Sequence, residues 1–84
     1  MYLHVTGTVT QPDRLAAFAD EERRVLEELK AEGTVVMALR RHDRPGALLV
    51  VEADGPGEAR ERLGRLPYVA HGLLALEYVE VSRL

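Results

Sequence analysis

The sequence predicts an α+β fold in which four antiparallel strands and two helices follow the order β-α-β-β-α-β. Two observations support this prediction. Alternating or continuous apolar stretches rich in β-branched side chains indicate four strands. Two stretches with a proline near their start and apolar residues at helical spacing indicate the helices between them. The 84 residues are sufficient for a single domain, 1–84. The predicted strands cover 2–9, 34–41, 47–53 and 73–81, and the predicted helices cover 12–32 and 54–66.

The first half of the chain supplies a strand, a helix and a second strand. YLHVTGTV alternates apolar and polar side chains, which is typical of a strand with one buried face. Pro12 suits the first position of the helix, and Gly33 ends it because glycine tolerates a left-handed cap. TVVMALRR then forms the second strand, and HDRPG contains the turn formers of a hairpin.

The second half of the chain also supplies a strand, a helix and a strand, but its strands are apolar on both faces or nearly so. ALLVVEA, the third strand, is apolar on both faces. The helix in DGPGEARERLGRL has Pro56 in its first turn, and we expect Pro67 to end it. YVAHG is expected to be a loop, and LLALEYVEV forms the fourth strand, which is nearly apolar on both faces.

This order of elements is the ferredoxin-like, or split βαβ, pattern, in which both helices cover one face of the sheet. Apolar residues on both faces of the third strand require a cover on the other face as well. A second copy of the sheet is the simplest cover, so we expect a homodimer with its sheets face to face. Association would also stabilise a chain whose own core is marginal at this length.

Composition excludes several classes of function. A net charge of −3 argues against a dedicated nucleic-acid binder, and no apolar run is long enough to span a membrane. The chain enters strand sequence at once without an apolar leader, so we expect a cytoplasmic protein. It has no cysteine, no H-E-x-x-H spacing, no P-loop and no G-x-G-x-x-G motif. We therefore expect no metal and no cofactor.

Glu22 is the first candidate for a functional residue. At about 100° per residue it falls near the middle of the apolar stripe that contains Val25, Leu26 and Leu29. A carboxylate between a helix and a sheet is desolvated, which raises its pKa towards the range useful for proton transfer. The alternative is a structural role, with Glu22 paired to an arginine from a strand.

Arg40, Arg41 and His4 are candidates on the strands. The two arginines are consecutive, so their side chains point to opposite faces of the sheet. One of them can bind a carboxylate ligand bidentately. The alternatives are a pair with Glu22 or Glu52, or exposure near the turn. His4 lies on the face opposite the buried residues of the first strand, where a cleft or the dimer interface can receive it.

The opening MYLHVTGTVTQP resembles the muconolactone isomerases, which begin approximately M-x-x-H-V-x-x-T-V-x-x-P. The similarity continues through EERRVLEELKAEG, through Arg40 and through LGRLPYVAHGLLALEYVEV, so it covers nearly the whole chain. The chain departs from that family on the second strand, where Val35, Met37 and Ala38 replace aromatic and histidine side chains. PYVAHGLLALEYVEV also resembles YCII-related proteins of the same dimeric α+β barrel superfamily.

The resemblance implies two ferredoxin-like sheets face to face and homo-oligomers from a dimer to a decamer. It implies an isomerase of aromatic catabolism that needs no cofactor and shifts a proton within a small unsaturated lactone bearing a carboxylate. Glu22 would then be the acid–base group, Arg40 would bind the carboxylate, and His4 would polarise or position the substrate. The alternative is a non-catalytic barrel dimer that binds a small ligand, or a YCII-like protein.

These alternatives make different predictions about Glu22. A catalytic Glu22 should line a cavity, have a raised pKa and lack a salt bridge. A close ion pair with Arg40 or Arg41, without an adjacent cavity, would instead indicate a structural role.

Overall fold

A computed structural model describes residues 1–84 and contains one antiparallel sheet. Its strands are β1 (Tyr2–Val9), β2 (Val35–Arg40), β3 (Gly46–Glu52) and β4 (Leu74–Val81). Hydrogen-bonded neighbours follow the order β2-β3-β1-β4, and each neighbouring pair is antiparallel. All four predicted strands are present within one residue of their expected bounds, and the predicted ferredoxin-like fold class is confirmed.

The helical segments differ from the prediction in number. They are a 3-10 helix (Pro12–Phe18), α1 (Ala19–Ala31), α2 (Pro56–Leu63) and α3 (Pro67–Ala70). The single helix expected over 12–32 is therefore two segments. The backbone of Phe18 leaves the helical region at the junction, with φ −118° and ψ 5°, and its ring stacks on His71 with the centroids 4.3 Å apart.

The segment expected to be a loop after Pro67 contains α3. Helix α2 ends at Leu63, and Pro67 begins α3 instead of only terminating the helix before it. A proline fits the first helical position because that residue has no hydrogen-bond partner for its N–H in any helix. None of the helices has the length and apolar character that crossing a membrane requires.

The core lies between the helices and one face of the sheet. Leu3 and Val5 of β1 stand opposite Val51 and Leu49 of β3, and all four side chains are buried. The cluster is completed by Val35 of β2 and, from the helices and loops, by Val25, Leu29, Ala53, Ala59, Leu63 and Leu66. Burying one such leucine or valine side chain stabilises the fold by about 1.5–3 kcal/mol.

The other face of the sheet, here called the open face, has no helix over it. The alternation along β1 places Tyr2, His4, Thr6 and Thr8 on this face. Apolar side chains accompany them, and Met37, Leu39 and Val79 are 51%, 52% and 58% exposed. Apolar residues on both outer strands therefore stay half-exposed, because no other part of the same chain covers this face.

Candidate active site

A cavity of about 610 Å³ lies between α1 and the helix side of the sheet. Much of its wall is apolar and includes Leu15, Leu26, Ala38, Leu49, Leu66 and Leu74. Five polar side chains also border it, namely Glu22, Lys30, Arg40, Arg41 and Tyr68. Pockets of this size and composition are typical of sites for small organic molecules.

Glu22 reaches this cavity from α1. It shares one side of the helix with Leu26 and Lys30, at spacings of four and eight residues, and all three border the cavity. The side chain is half-buried. None of the chain's ion pairs includes Glu22. No Lys, Arg or His nitrogen therefore lies within 4.0 Å of its carboxylate. Glu22 therefore has no salt-bridge partner.

Burial and one hydrogen bond determine the acidity of Glu22. The backbone N–H of Tyr68 donates to Oε1 of the carboxylate at 2.9 Å. Burial raises the pKa of Glu22 by disfavouring the ionised form, and the Tyr68 N–H lowers it by a smaller amount, so the pKa is raised overall. The carboxyl group thus holds its proton to a higher pH than an exposed glutamate.

Arg40 borders the same cavity from the end of β2. It stands opposite Ala47, which packs against the core, so the arginine lies on the helix side of the sheet. It forms no ion pair with any carboxylate, which leaves its guanidinium without a fixed partner. The pairs with Glu22 or Glu52 that the sequence left open are absent from the structure.

Glu22 and Arg40 approach the cavity from two consecutive elements. Helix α1 and strand β2 are joined by a short turn and run in opposite directions. Ideal geometry places Glu22 about 13 Å back along the helix from Ala31 and Arg40 about 16 Å along the strand from Val35. The backbones at these two positions are therefore at similar distances from the turn, and both residues border the same cavity.

Arg41 has a different and fixed environment. Its guanidinium donates to Thr8 Oγ1 at 3.0 Å and to both carboxylate oxygens of Asp43, at 2.9 and 2.7 Å. Thr8 belongs to the open face, so Arg41 is bonded at that side of the sheet although it also borders the cavity. The guanidinium of Arg41 lowers the pKa of Asp43 to about 2. This arginine braces the turn between β2 and β3.

His4 lies away from the cavity. In register it stands between Val50 of β3 and Val79 of β4, on the open face. Its neighbours Leu3 and Val5 face the helices, and period-two alternation therefore sends the imidazole to the other side. The structure brings Glu22 and Arg40 together but not His4, which cannot contact a ligand beside Glu22 within one chain.

Two polar residues of the cavity, Lys30 and Tyr68, were not among the functional residues predicted from the sequence. Lys30, the only lysine of the chain, lies on the helical stripe of Glu22, so the same wheel could have identified it. Its Nζ pairs with Glu27 at 3.1 Å. Tyr68 has no comparable local signal, since its contact with Glu22 joins residues 46 positions apart.

Comparisons with known proteins identify the fold. No family model matches the sequence, and no curated protein is similar to it. One similar solved structure is 5-chloro-2-hydroxyhydroquinone dehydrochlorinase from Burkholderia phenoliruptrix AC1100 in complex with 2,5-dihydroxybenzoquinone. Its TM-score is 0.80 at 17% identity, over 98% of this chain and 94% of that chain. Another is muconolactone isomerase, with a TM-score of 0.79 at 20% identity, over 100% of this chain and 91% of that chain. The chain therefore has the ferredoxin-like fold of these two enzymes.

Proposed function

We propose that this protein catalyses a cofactor-independent proton transfer that shifts a double bond within a small anionic unsaturated lactone or a related cytoplasmic metabolite. Glu22 is the acid–base group, and Arg40 binds the carboxylate of the substrate. The observation that carries the proposal is the state of Glu22, which is half-buried in a largely apolar cavity, has a raised pKa and lacks a cation. The proposal assigns no role in this cavity to His4.

The reaction requires a base, a cation and a surrounding of low polarity. The Glu22 carboxylate removes a proton from the saturated ring carbon at the far end of the conjugated C=C–C=O system, and the electron pair is delocalised as a dienolate. The resulting carboxylic acid returns the proton to the carbon next to the lactone carbonyl, so the double bond moves and no atom is gained or lost. The raised pKa makes the Glu22 carboxylate a stronger base than that of an exposed glutamate.

Arg40 suits the role of anion binder because its guanidinium has no carboxylate partner in the structure. A planar guanidinium binds a carboxylate with two parallel hydrogen bonds and thereby fixes its orientation. Arg40 and Glu22 border the same cavity. The two fold neighbours are named for enzymes of small ring compounds, which supports a substrate of the same size class.

Solvent exchange tests the proposal directly. Unsaturated lactones bearing a carboxylate are incubated with the protein in D2O, and the loss of the exchangeable C–H signal is followed by proton NMR. Glu22→Gln keeps an oxygen that can accept from the Tyr68 N–H but cannot take up a proton. We expect this variant to exchange at least about 100-fold more slowly, the usual contribution of a positioned acid–base group.

Glu21→Gln is the matched control, because Glu21 is the neighbouring acid and is exposed beside Arg24. We expect its exchange rate to equal that of the unsubstituted protein. An equal loss in both variants would assign the effect to helix α1 as a whole. No exchange above the buffer rate with any lactone of the panel would contradict the proposed activity.

A ligand-binding protein without catalysis is the second candidate. The observation that favours it is the hydrogen bond from Tyr68 to Glu22, which links α3 to α1 and gives the carboxylate a structural role. This candidate predicts saturable binding of the lactones, measured by calorimetry, together with no exchange in D2O. In that case Glu22→Gln would leave the dissociation constant nearly unchanged.

We also propose that the partner of this chain is a second copy, bound through the open face. The support is the half-exposed apolar set Met37, Leu39 and Val79, which no helix covers. Large exposed apolar residues on one face of a sheet are typical of association sites. Larger rings of such dimers, up to a decamer, use surfaces other than this one.

A further inference from the structure

We propose that Tyr68 is the positioning residue of this site, acting through its backbone. Its N–H holds Oε1 of Glu22, so that Oε2 is the oxygen that takes and returns the proton. The inference rests on the proposed function for its catalytic meaning, although the hydrogen bond can be tested without any activity. It assigns a role to α3, which sequence patterning predicted only as a loop.

The N–H of Tyr68 is the one amide of α3 that is free for this contact. Pro67, the first residue of the helix, has no N–H. The amides of Val69 and Ala70 both donate to the carbonyl of Leu66, at 3.0 and 2.9 Å. Tyr68 therefore provides the first outward-facing donor of the helix, and it donates to Glu22 at 2.9 Å.

Tyr68 is itself held at two further points. Its hydroxyl donates to the carbonyl oxygen of Leu15 at 3.2 Å, which attaches α3 to the 3-10 helix. Its carbonyl accepts from the N–H of Leu73 at 2.8 Å, which attaches α3 to the segment leading into β4. An amide anchored in this way is a fixed donor, and it fixes the carboxylate that accepts from it.

The second carboxylate oxygen of Glu22 is free. Only Oε1 takes part in a hydrogen bond, and no buried side-chain oxygen in the protein lacks a partner. Oε2 is therefore not enclosed by protein. Because Glu22 borders the cavity, this oxygen can meet a molecule bound there. The other charged or titratable groups near Glu22 or around the cavity are Arg23 and Lys30 on α1, Arg40 on β2, Arg41 in the next turn and the Tyr68 phenol.

A backbone substitution isolates this one hydrogen bond. An 84-residue chain is accessible to chemical synthesis, and the Tyr68 N–H can be replaced by an ester oxygen while every side chain is kept. The matched control places the ester at Val69, which removes the α3 bond to Leu66 and leaves the donor to Glu22 in place. Glu22 carries a 13C label at its carboxyl carbon, so that its titration is followed by NMR.

We expect the ester at Tyr68 to move the titration midpoint of Glu22 upward, since the ionised carboxylate loses a donor, and to lower kcat for lactone exchange about 10-fold or more. The ester at Val69 should change neither. An unchanged midpoint in the Tyr68 ester, an equal change in both esters, or a shifted midpoint with full kcat would overturn the inference. Absence of lactone exchange in the unsubstituted protein would contradict the proposed function, whereas the midpoint would still decide whether Tyr68 holds Glu22.

Discussion

Glu22 is a carboxylate that the fold keeps half-buried without supplying a cation. A half-buried acid with one neutral donor is costly to ionise, and proteins usually avoid that cost unless the group has a function. Gln at this position would accept the same hydrogen bond without the charge. The presence of an acid where an amide would suffice favours the catalytic over the structural interpretation.

The raised pKa of Glu22 also predicts how stability depends on pH. A group whose pKa is higher in the folded state than in the unfolded state stabilises the fold when protonated. That contribution is fully present below the ordinary value of 4.5 and is lost as the pH rises through the higher folded value. Glu22→Gln should therefore gain stability relative to the unsubstituted protein over this window, as measured by urea unfolding at a series of pH values.

Glu21→Gln provides the comparison for the same titration, because its exposed carboxylate lies on the solvent side of α1. Its stability difference from the unsubstituted protein should not increase with pH over the window. A stability difference for Glu22→Gln that stays constant between pH 4 and neutrality would show that the folded and unfolded pKa values are equal.

At the scale of elements, two adjacent arginines at the end of β2 have different environments. Arg40 stands on the helix side beside the cavity, whereas Arg41 is fixed to Asp43 and Thr8. The same residue type at consecutive positions thus supplies one free cation to the site and one structural brace to the adjoining turn. The difference lies in their partners, since only Arg41 is bonded to Thr8 and Asp43.

Substituting each arginine by methionine separates the two roles. Arg40→Met should raise KM for the lactone about 10-fold or more, because a charged hydrogen-bonded contact contributes about 1.5–3 kcal/mol. Its urea midpoint should stay unchanged. Arg41→Met should lower the urea midpoint, because the bonds to Thr8 and Asp43 are lost. Steady-state kinetics and unfolding curves measure both effects, and the opposite assignment would contradict the geometry.

At the scale of the whole molecule, the two faces of the sheet differ in how they are covered. The helix side has a packed core, whereas the open face presents apolar side chains from both outer strands. A chain of this length buries only about 60–65% of its unfolded surface by itself. Covering the open face with a second copy would add buried apolar area where the chain lacks it.

Val79 tests the proposed dimer because it is 58% exposed on the open face and does not border the cavity. We expect light scattering to give a multiple of the 9.4 kDa chain mass that is at least two. Val79→Glu should shift the protein towards monomers and lower its melting temperature at a given concentration, since a buried unpaired charge opposes association. Ala17→Glu, on the exposed side of the 3-10 helix, is the control. A monomeric unsubstituted protein would contradict the proposal.

The sequence was sufficient for features that depend on local periodicity. Alternation located the four strands, and the helical period placed Glu22 on the apolar side of α1. These features follow from backbone geometry, which repeats every 2 residues in a strand and about every 3.6 in a helix. Predictions from periodicity alone were wrong where tertiary contacts interrupt an element. The helix predicted over 12–32 breaks at Phe18, where the ring stacks on His71.

Only the tertiary structure decided which face of the sheet holds the cavity, and hence that Glu22 and Arg40 share it while His4 does not. It also decided that Tyr68 is the partner of Glu22, through a contact between residues 46 positions apart. Periodicity states which side of its own element a residue occupies. What lies across from that side depends on how the loops and the short helix α3 pack, which no local pattern records.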